Sequence, residues 1–201
     1  MKVLIGTNNL HKLDEFKKIF KEENIDIDVI ALKEMPFTVD EPIEDGKNFY
    51  ENALIKAKYF YDCYHIPCIS DDSGIVVDAL NGMPGIYSAR YGSLYGLDNS
   101  SSNNRKVLLE KMKNENNRNA HFECTLVYYD GDKIISSTGI MKGQIAYEEV
   151  GTKGFGYDPI FFIPEYNQTV GELDEGIKNK LSHRYNAIIN FVSKLKDNKN
   201  W

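Results

Sequence analysis

The chain has 201 residues, 42% of them hydrophobic and 27% charged, and a formal net charge of −6. That length suffices for one well-packed domain, or for one domain with two lobes, and the composition is that of a globular protein. The negative balance argues against bulk electrostatic binding to nucleic acid or to an anionic membrane, so any phosphate contact has to come from individually placed lysines and arginines.

Val3-Leu4-Ile5 reads as a buried first strand, ended by the turn Gly6-Thr7-Asn8-Asn9. The opening segment is too short for a signal peptide, and no later uncharged run is long enough for a membrane span. From Lys12 the residues Leu13, Phe16, Ile19 and Phe20 fall at helical spacing, with Asp14 and Glu15 expected in the first turn, where the helix dipole favours acids. A strand that feeds a helix N-terminus through a polar loop is a common anion site, and Thr7, Asn8, Asn9 and Lys12 offer donors there; many α/β proteins also simply begin this way. Asp28–Ala31 is a second strand. Residues 32–47 hold two prolines together with Glu34, Asp40, Glu41, Glu44 and Asp45, show no sustained period, and read as a loop. Phe49, Ala53, Lys56, Ala57 and Phe60 mark a helix over about 48–61. Lys56 lies close to its inward face, which leaves it either snorkelling or facing a cleft. Cys63, Cys68 and Cys124 are odd in number and lack zinc-ligand spacing. They read as incidental thiols in a reduced, cytoplasmic compartment in preference to a metal site on Cys63, His65 and Cys68.

The stretch around which the chain is organised is Ile69–Leu80. Asp71-Asp72-Ser73-Gly74 stands there between apolar, β-branched residues, as if two short strands met at an acidic corner. Adjacent carboxylates repel, so a fold that keeps both usually gives one of them a cation. Ser73 and Gly74 add a hydroxyl and a permissive backbone suited to an oxyanion; an Asp-rich turn is the plain alternative. Beyond it, a polar loop over 98–104 supplies N-caps for a helix carrying Val107, Leu108, Leu109 and Met112. Phe122–Tyr129 and Ile134–Gly139, joined through Asp130-Gly131-Asp132, form a hairpin signal, with 140–146 a candidate continuation. The Gly-rich stretch 151–159 holds Phe155 and Tyr157, on either of which a flat ligand ring can stack; a packed corner is the competing reading. Ser182-His183-Arg184 leads into a last helix through Ala187, Ile188, Phe191, Val192 and Leu195. No repeat and no composition break marks a second domain, so residues 1–201 read as one. Strand–helix alternation combined with a hairpin predicts a mixed α/β sheet.

Five blocks in this chain resemble the inosine triphosphate pyrophosphatase family, in that family's order and over nearly the whole length. They are Thr7-Asn8-Asn9-Leu10-His11-Lys12-x-x-Glu15; Phe49-x-Glu51-Asn52-Ala53-x-x-Lys56-Ala57; Ser70-Asp71-Asp72-Ser73-Gly74 through Pro84-Gly85-x-Tyr87-Ser88-Ala89-Arg90-Tyr91; Gly154-Phe155-Gly156-Tyr157-Asp158-Pro159-x-Phe161; and Lys178-Asn179-x-x-Ser182-His183-Arg184-x-x-Ala187. The resemblance implies an elongated mixed β-sheet flanked by helices, with two lobes around a central cleft, usually as a homodimer. It implies Mg²⁺-dependent hydrolysis of inosine, xanthosine and deoxyinosine triphosphates to the monophosphate and pyrophosphate. By position it makes Asp72 the general base and a metal ligand, with Glu44 the second ligand and Glu41 its near competitor. The Thr7–Lys12 loop (Leu10 and His11 included), Lys56, Ser73 and Lys178 are expected on the triphosphate, and Phe155, Gly156, Tyr157, Asp158, His183 and Arg184 on the base. The chemistry agrees, because Mg²⁺ takes one or two carboxylates plus phosphate oxygens, and a 6-keto purine suits donors. Other readings of the residues are a serine hydrolase on Ser73 or Ser182, an aspartyl-phosphate phosphatase, and a nucleotide-binding module stacking on Phe155 and Tyr157. The first lacks a Gly-x-Ser-x-Gly elbow, and the second would normally show Asp-x-Asp where the central pair Asp71-Asp72 is adjacent.

Overall fold

Strand β1 (Lys2–Ile5) sends Val3 and Ile5 to one face and Leu4 to the other, and all three are fully buried. An unbroken apolar run is what a strand covered on both faces requires. The protein is seen in a computed structural model that describes residues 1–197. Parallel strands flank β1: β2 (Asp28–Ala31), with Val3 opposite Val29, and β3 (Cys68–Val77), with Ile5 opposite Ile69. Each parallel return runs through a helix, α1 (Leu10–Glu22) before β2 and α2 (Phe49–Tyr64) before β3. Leu13 and Phe16 of α1 join Val3, Ile5 and Ile69 in one core, together with Ile188 and Phe191 of α5 (His183–Asp197). Phe60 of α2 packs with Leu4 and Cys68 on the opposite face.

The remaining elements are α3 (Ser101–Met112), β4 (Asn119–Tyr129), β5 (Ile134–Ile145), β6 (Phe161–Ile163), β7 (Gln168–Thr169) and α4 (Glu175–Leu181). Among the described residues the sheet has seven strands in the order β2-β1-β3-β4-β5-β6-β7. It is parallel at β2-β1-β3 and antiparallel at β5-β6-β7, hence the mixed α/β sheet that the sequence predicts. The chain divides into two compact units. The first comprises Met1–Asp72, Cys124–Gly139 and the chain from His183; the second comprises Ser73–Glu123 and Ile140–Ser182. Ile75, Leu108, Met112, Phe122, Tyr157 and Phe161 are part of the second unit's core. In the first unit, a Cβ on Gly139 of β5 would collide with the backbone of α5 at His183 and Ala187, so the helix lies directly on the strand.

Three local expectations are corrected. Helix α1 begins at Leu10, because Asn9 is its N-cap and accepts from the Lys12 N–H at 3.2 Å; Asp14 and Glu15 therefore lie beyond the first turn. Helix α2 runs on to Tyr64, where His65 enters the left-handed region at φ 52° and bonds back to the Tyr61 carbonyl. The acidic corner does not exist: Asp71 to Gly74 lie inside β3, an unbroken strand of ten residues. Both the corner and the Asp-rich turn give way to extended backbone. Gly74 has a use within that strand, since a Cβ there would strike the Gly85 carbonyl and the Ser88 hydroxyl, the latter accepting from the Ile75 N–H at 2.9 Å.

Candidate active site

Side chains alternate along a strand, so Asp71 and Asp72 point to opposite faces of β3. That is how neighbouring carboxylates are kept apart, and each makes its own hydrogen bonds while Lys12 and Lys56 act on both. Asp71 shares the face of Ile69, which α1 and α5 cover. Its Oδ2 accepts from Lys12 Nζ at 2.9 Å and from Arg184 Nη2 at 3.1 Å, while Arg184 Nη1 also pairs with Glu15. Asp71 and Arg184 are only 1% and 2% exposed. Burial alone would raise the Asp71 pKa, but Lys12, Arg184 and Lys56 outweigh it and hold the carboxyl well below the usual carboxylate range. Cys124, within 3.6 Å of the same oxygen, has its thiol pushed upward by burial and by the Asp71 charge.

Asp72 faces the α2 side. Its Oδ2 accepts from Asn52 Nδ2 at 3.0 Å. Lys56, one helical turn beyond Asn52, donates to Glu44 Oε2 at 2.8 Å. Lys56 thus spends its ammonium on Glu44 and does not snorkel to water; burial disfavours its charge, yet Asp72, Asp71 and Glu44 overcome this and raise its pKa. Asp72 shows the reverse balance. Burial and the charge of Glu44 push its pKa up against Lys56, Asn52 and Lys12. A hard-oxygen carboxylate whose ionisation is opposed by burial and by a neighbouring carboxylate is a donor that a divalent cation relieves. Among the described residues no group of three or more His, Cys, Asp and Glu side chains could hold a metal. One or two carboxylates beside waters and phosphate oxygens are what Mg²⁺ would need, so Glu44 and Asp72 fit the ion that the resemblance implies. Of the two glutamates in question, Glu44 is the one whose charge acts on Asp72; Glu41 is exposed and accepts from Asn8 Nδ2 at 2.9 Å.

The polar loop before α1 lies between β1 and the first helical turn, as expected. Thr7 Oγ1 accepts from the Asn9 N–H at 3.1 Å, Asn9 caps the helix, and Leu10, His11 and Lys12 form its first turn, with Leu10 61% exposed. In the second unit, Ser73 is half-buried on β3, directly after Asp72. Phe155 is 41% exposed, and Lys178 stands 4.7 Å from its ring centroid while bonding Asp158 Oδ2 at 2.7 Å. The same Asp158 oxygen accepts from the Phe155 N–H at 2.8 Å, and Gly156 gives its carbonyl to Arg105 at 2.8 Å. Tyr157 is not a stacking platform. It is buried in the second unit's core with its hydroxyl on the Ser88 carbonyl at 2.7 Å, and only Phe155 presents a ring face. His183 is half-buried at the start of α5, next to Arg184, whose two carboxylate partners are described above. Sequence reasoning overlooked Asn52 and did not foresee that Asp71, Glu15, Lys12 and Arg184 form one network. Asn52 was legible as a polar residue at a buried position of an otherwise apolar helix face; the network spans 113 and 169 residues and left no local trace.

The fold and these side chains define an open mixed α/β protein with paired carboxylates set among lysines, donors suited to phosphate. The chain belongs to the Ham1 family, whose family model matches residues 3–194. It is 46% identical over 198 residues to a dITP/XTP pyrophosphatase of Clostridium tetani, covering 96% of each chain. Among solved structures it is similar to the Staphylococcus aureus Ham1 protein, with a TM-score of 0.85 and 37% identity over 98% of this chain and 100% of that one. It is similar also to a HAM1 protein from Coxiella burnetii, with a TM-score of 0.88 and 31% identity over 98% and 99%. Among the described residues no helix is long and apolar enough to cross a membrane.

Proposed function

We propose that this chain hydrolyses non-standard purine nucleoside triphosphates (inosine, deoxyinosine and xanthosine triphosphates) to the monophosphate and pyrophosphate, clearing them from the nucleotide pool. The observation that carries the reading is Asp72, a carboxylate of raised pKa held by Asn52, in the field of Glu44 and Lys56, in a chain 46% identical to a named dITP/XTP pyrophosphatase. A carboxylate of raised basicity suits a general base, and Asp72 takes the proton of a water that attacks the α-phosphorus. Glu44 and Asp72 would hold Mg²⁺, which would offset charge on the triphosphate. Lys56 and Lys178 balance charge on the departing pyrophosphate, and the donors at the start of α1 bind phosphate oxygens. Phe155 stacks on the base. Arg184 is 2% exposed and already holds Glu15 and Asp71, so its first role is to hold those carboxylates.

A homodimer is the assembly that the resemblance implies, and the free cysteines suit the cytoplasm. The test measures pyrophosphate release from inosine and adenosine triphosphates with and without Mg²⁺. Mg²⁺-dependent release that favours inosine is the expected result. Orthophosphate as the product, or equal rates on both nucleotides, refutes the reading.

A further inference from the structure

Asn52 is the one polar residue among the buried positions of α2, and it is 2% exposed. Its amide is used at both ends. Nδ2 donates to Asp72 Oδ2 at 3.0 Å, and Oδ1 accepts from the Gly46 N–H at 2.9 Å. Asp72 belongs to β3, whereas Gly46 lies two residues after Glu44 in the segment that precedes α2. One planar group therefore ties together the two stretches of chain that carry the carboxylates assigned above to the metal. The segment is seated closely: a Cβ on Gly46 would stand 2.6 Å from Asn52 Oδ1, 2.7 Å from Glu51 Cβ and 2.8 Å from the Asn52 nitrogen. Residue 46 thus has no room for a side chain while this arrangement holds. The helix beneath is fixed in turn by Ala53 and Ala57, both fully buried.

No other common side chain of this size does both tasks. An ionised Asp only accepts, and it would add a third negative charge; a Leu would leave the Gly46 N–H buried without a partner. We propose that Asn52 is a positioning residue that fixes the separation of Glu44 and Asp72, and the rotation of the Asp72 carboxylate, for one divalent cation. The proposal rests on the reading of Glu44 and Asp72 as metal ligands. Residues that orient metal ligands through a hydrogen bond are typically worth about 10–100-fold in metal affinity or activity.

The experiment compares wild type with Asn52→Ala and Gly46→Ala. Gly46→Ala acts on the same clamp from the other side and leaves residue 52 in place. Three quantities are read: thermal midpoint; Mn²⁺ affinity of the nucleotide-free protein by electron paramagnetic resonance; and kcat, KM and the Mg²⁺ half-saturation on inosine triphosphate. Mn²⁺ stands in for Mg²⁺ because both favour octahedral oxygen ligands. Both variants are expected to weaken Mn²⁺ and raise the Mg²⁺ half-saturation by about tenfold or more. kcat should fall at limiting Mg²⁺ and recover in part at high Mg²⁺, with KM for the nucleotide little changed. Folded variants with wild-type Mn²⁺ affinity, whatever their thermal midpoint, overturn the proposal, as does a wild type that binds no Mn²⁺. If Asn52→Ala does not fold, Gly46→Ala decides alone. A wild type that binds Mn²⁺ but releases no pyrophosphate refutes the activity and leaves the Mn²⁺ comparison to judge Asn52.

Discussion

Replacing Asp71 and Asp72 one at a time by Asn separates a carboxylate that stabilises the fold from one that the fold strains to keep. Asn has the shape of Asp, so packing is preserved and only charge changes. Asp71 is 1% exposed and faces Lys12 at 2.9 Å and Arg184 at 3.1 Å. Removing one partner of a buried ion pair costs about 3–5 kcal/mol, because the other charge stays buried. Lys12 retains some access to water and Arg184 retains Glu15, which places Asp71→Asn near the lower end, about 3 kcal/mol. For a chain of this size each kcal/mol is about 2–4 °C, so the midpoint should fall by roughly 6–12 °C. Asp72 runs the other way. Its pKa is raised, so the folded state disfavours its charge, and a neutral amide beside Glu44 removes that burden. Asp72→Asn should melt at or slightly above the wild-type temperature while turnover falls by roughly 10²–10⁴. Circular-dichroism melts at pH 7 and low salt, with pyrophosphate release measured on the same preparations, read both effects. Equal destabilisation by the two substitutions, or an Asp71→Asn protein melting within about 2 °C of wild type, would falsify the reasoning.

Two further predictions concern groups away from the carboxylates. Burial pushes the Cys68 thiol up to about 12, and burial and Asp71 push Cys124 up as well, while Cys63 is half-buried. At pH 8 a thiol reagent should therefore modify Cys63 alone in the folded protein and all three cysteines in denaturant; mass spectrometry showing rapid native labelling of Cys68 or Cys124 sinks the idea. In the β4–β5 turn, burial would raise the Asp130 pKa, but the N–H groups of Lys133 and Asp132 and the Tyr128 hydroxyl hold it low. A depressed carboxylate contributes stability above its unfolded pKa of about 3.9 and loses it as pH falls through the folded value. The midpoint gap between wild type and Asp130→Asn should accordingly be widest near neutral pH and close toward pH 3; a gap independent of pH contradicts the assignment.

The periodic parts of the fold were open to a reader of the sequence because their signal is local. Leu13, Phe16, Ile19 and Phe20 announce α1, and the apolar run at Val3 announces a strand covered on both faces. Boundaries were less legible, since they depend on which polar side chain turns back to the backbone: Asn9 capping Lys12 moved α1 forward by two residues. Helix α4 offers no fully buried residue, and β6 and β7 have three and two residues, too little pattern to be seen. The acidic motif was misjudged for a sharper reason. Two consecutive aspartates look like a turn when their neighbours in space are unknown, and only the cations on either face of β3 make a strand tolerable there. Whether Tyr157 stacks on a ligand or packs in a corner stayed open in the sequence because the partner of its hydroxyl, the Ser88 carbonyl, lies 69 residues away.

The order in which the first unit's segments are written along the chain bears on how it can be assembled. A ribosome delivers Lys12 and Asp71 early, yet Arg184 follows Asp71 by 113 residues, and every residue of the second unit is made in between. Until α5 has emerged, the β3 face carrying Ile69 lacks Ile188 and Phe191, and Asp71 has Lys12 but not its guanidinium. Closing a loop of that length costs on the order of 4 kcal/mol in chain entropy before any contact rewards it. Vectorial synthesis therefore presents the cell with a half-covered sheet for the time needed to translate those intervening residues, about 6–23 s at ordinary elongation rates. During that interval the apolar face of the first unit stays open to water, and the last helix acts as the latch that withdraws it.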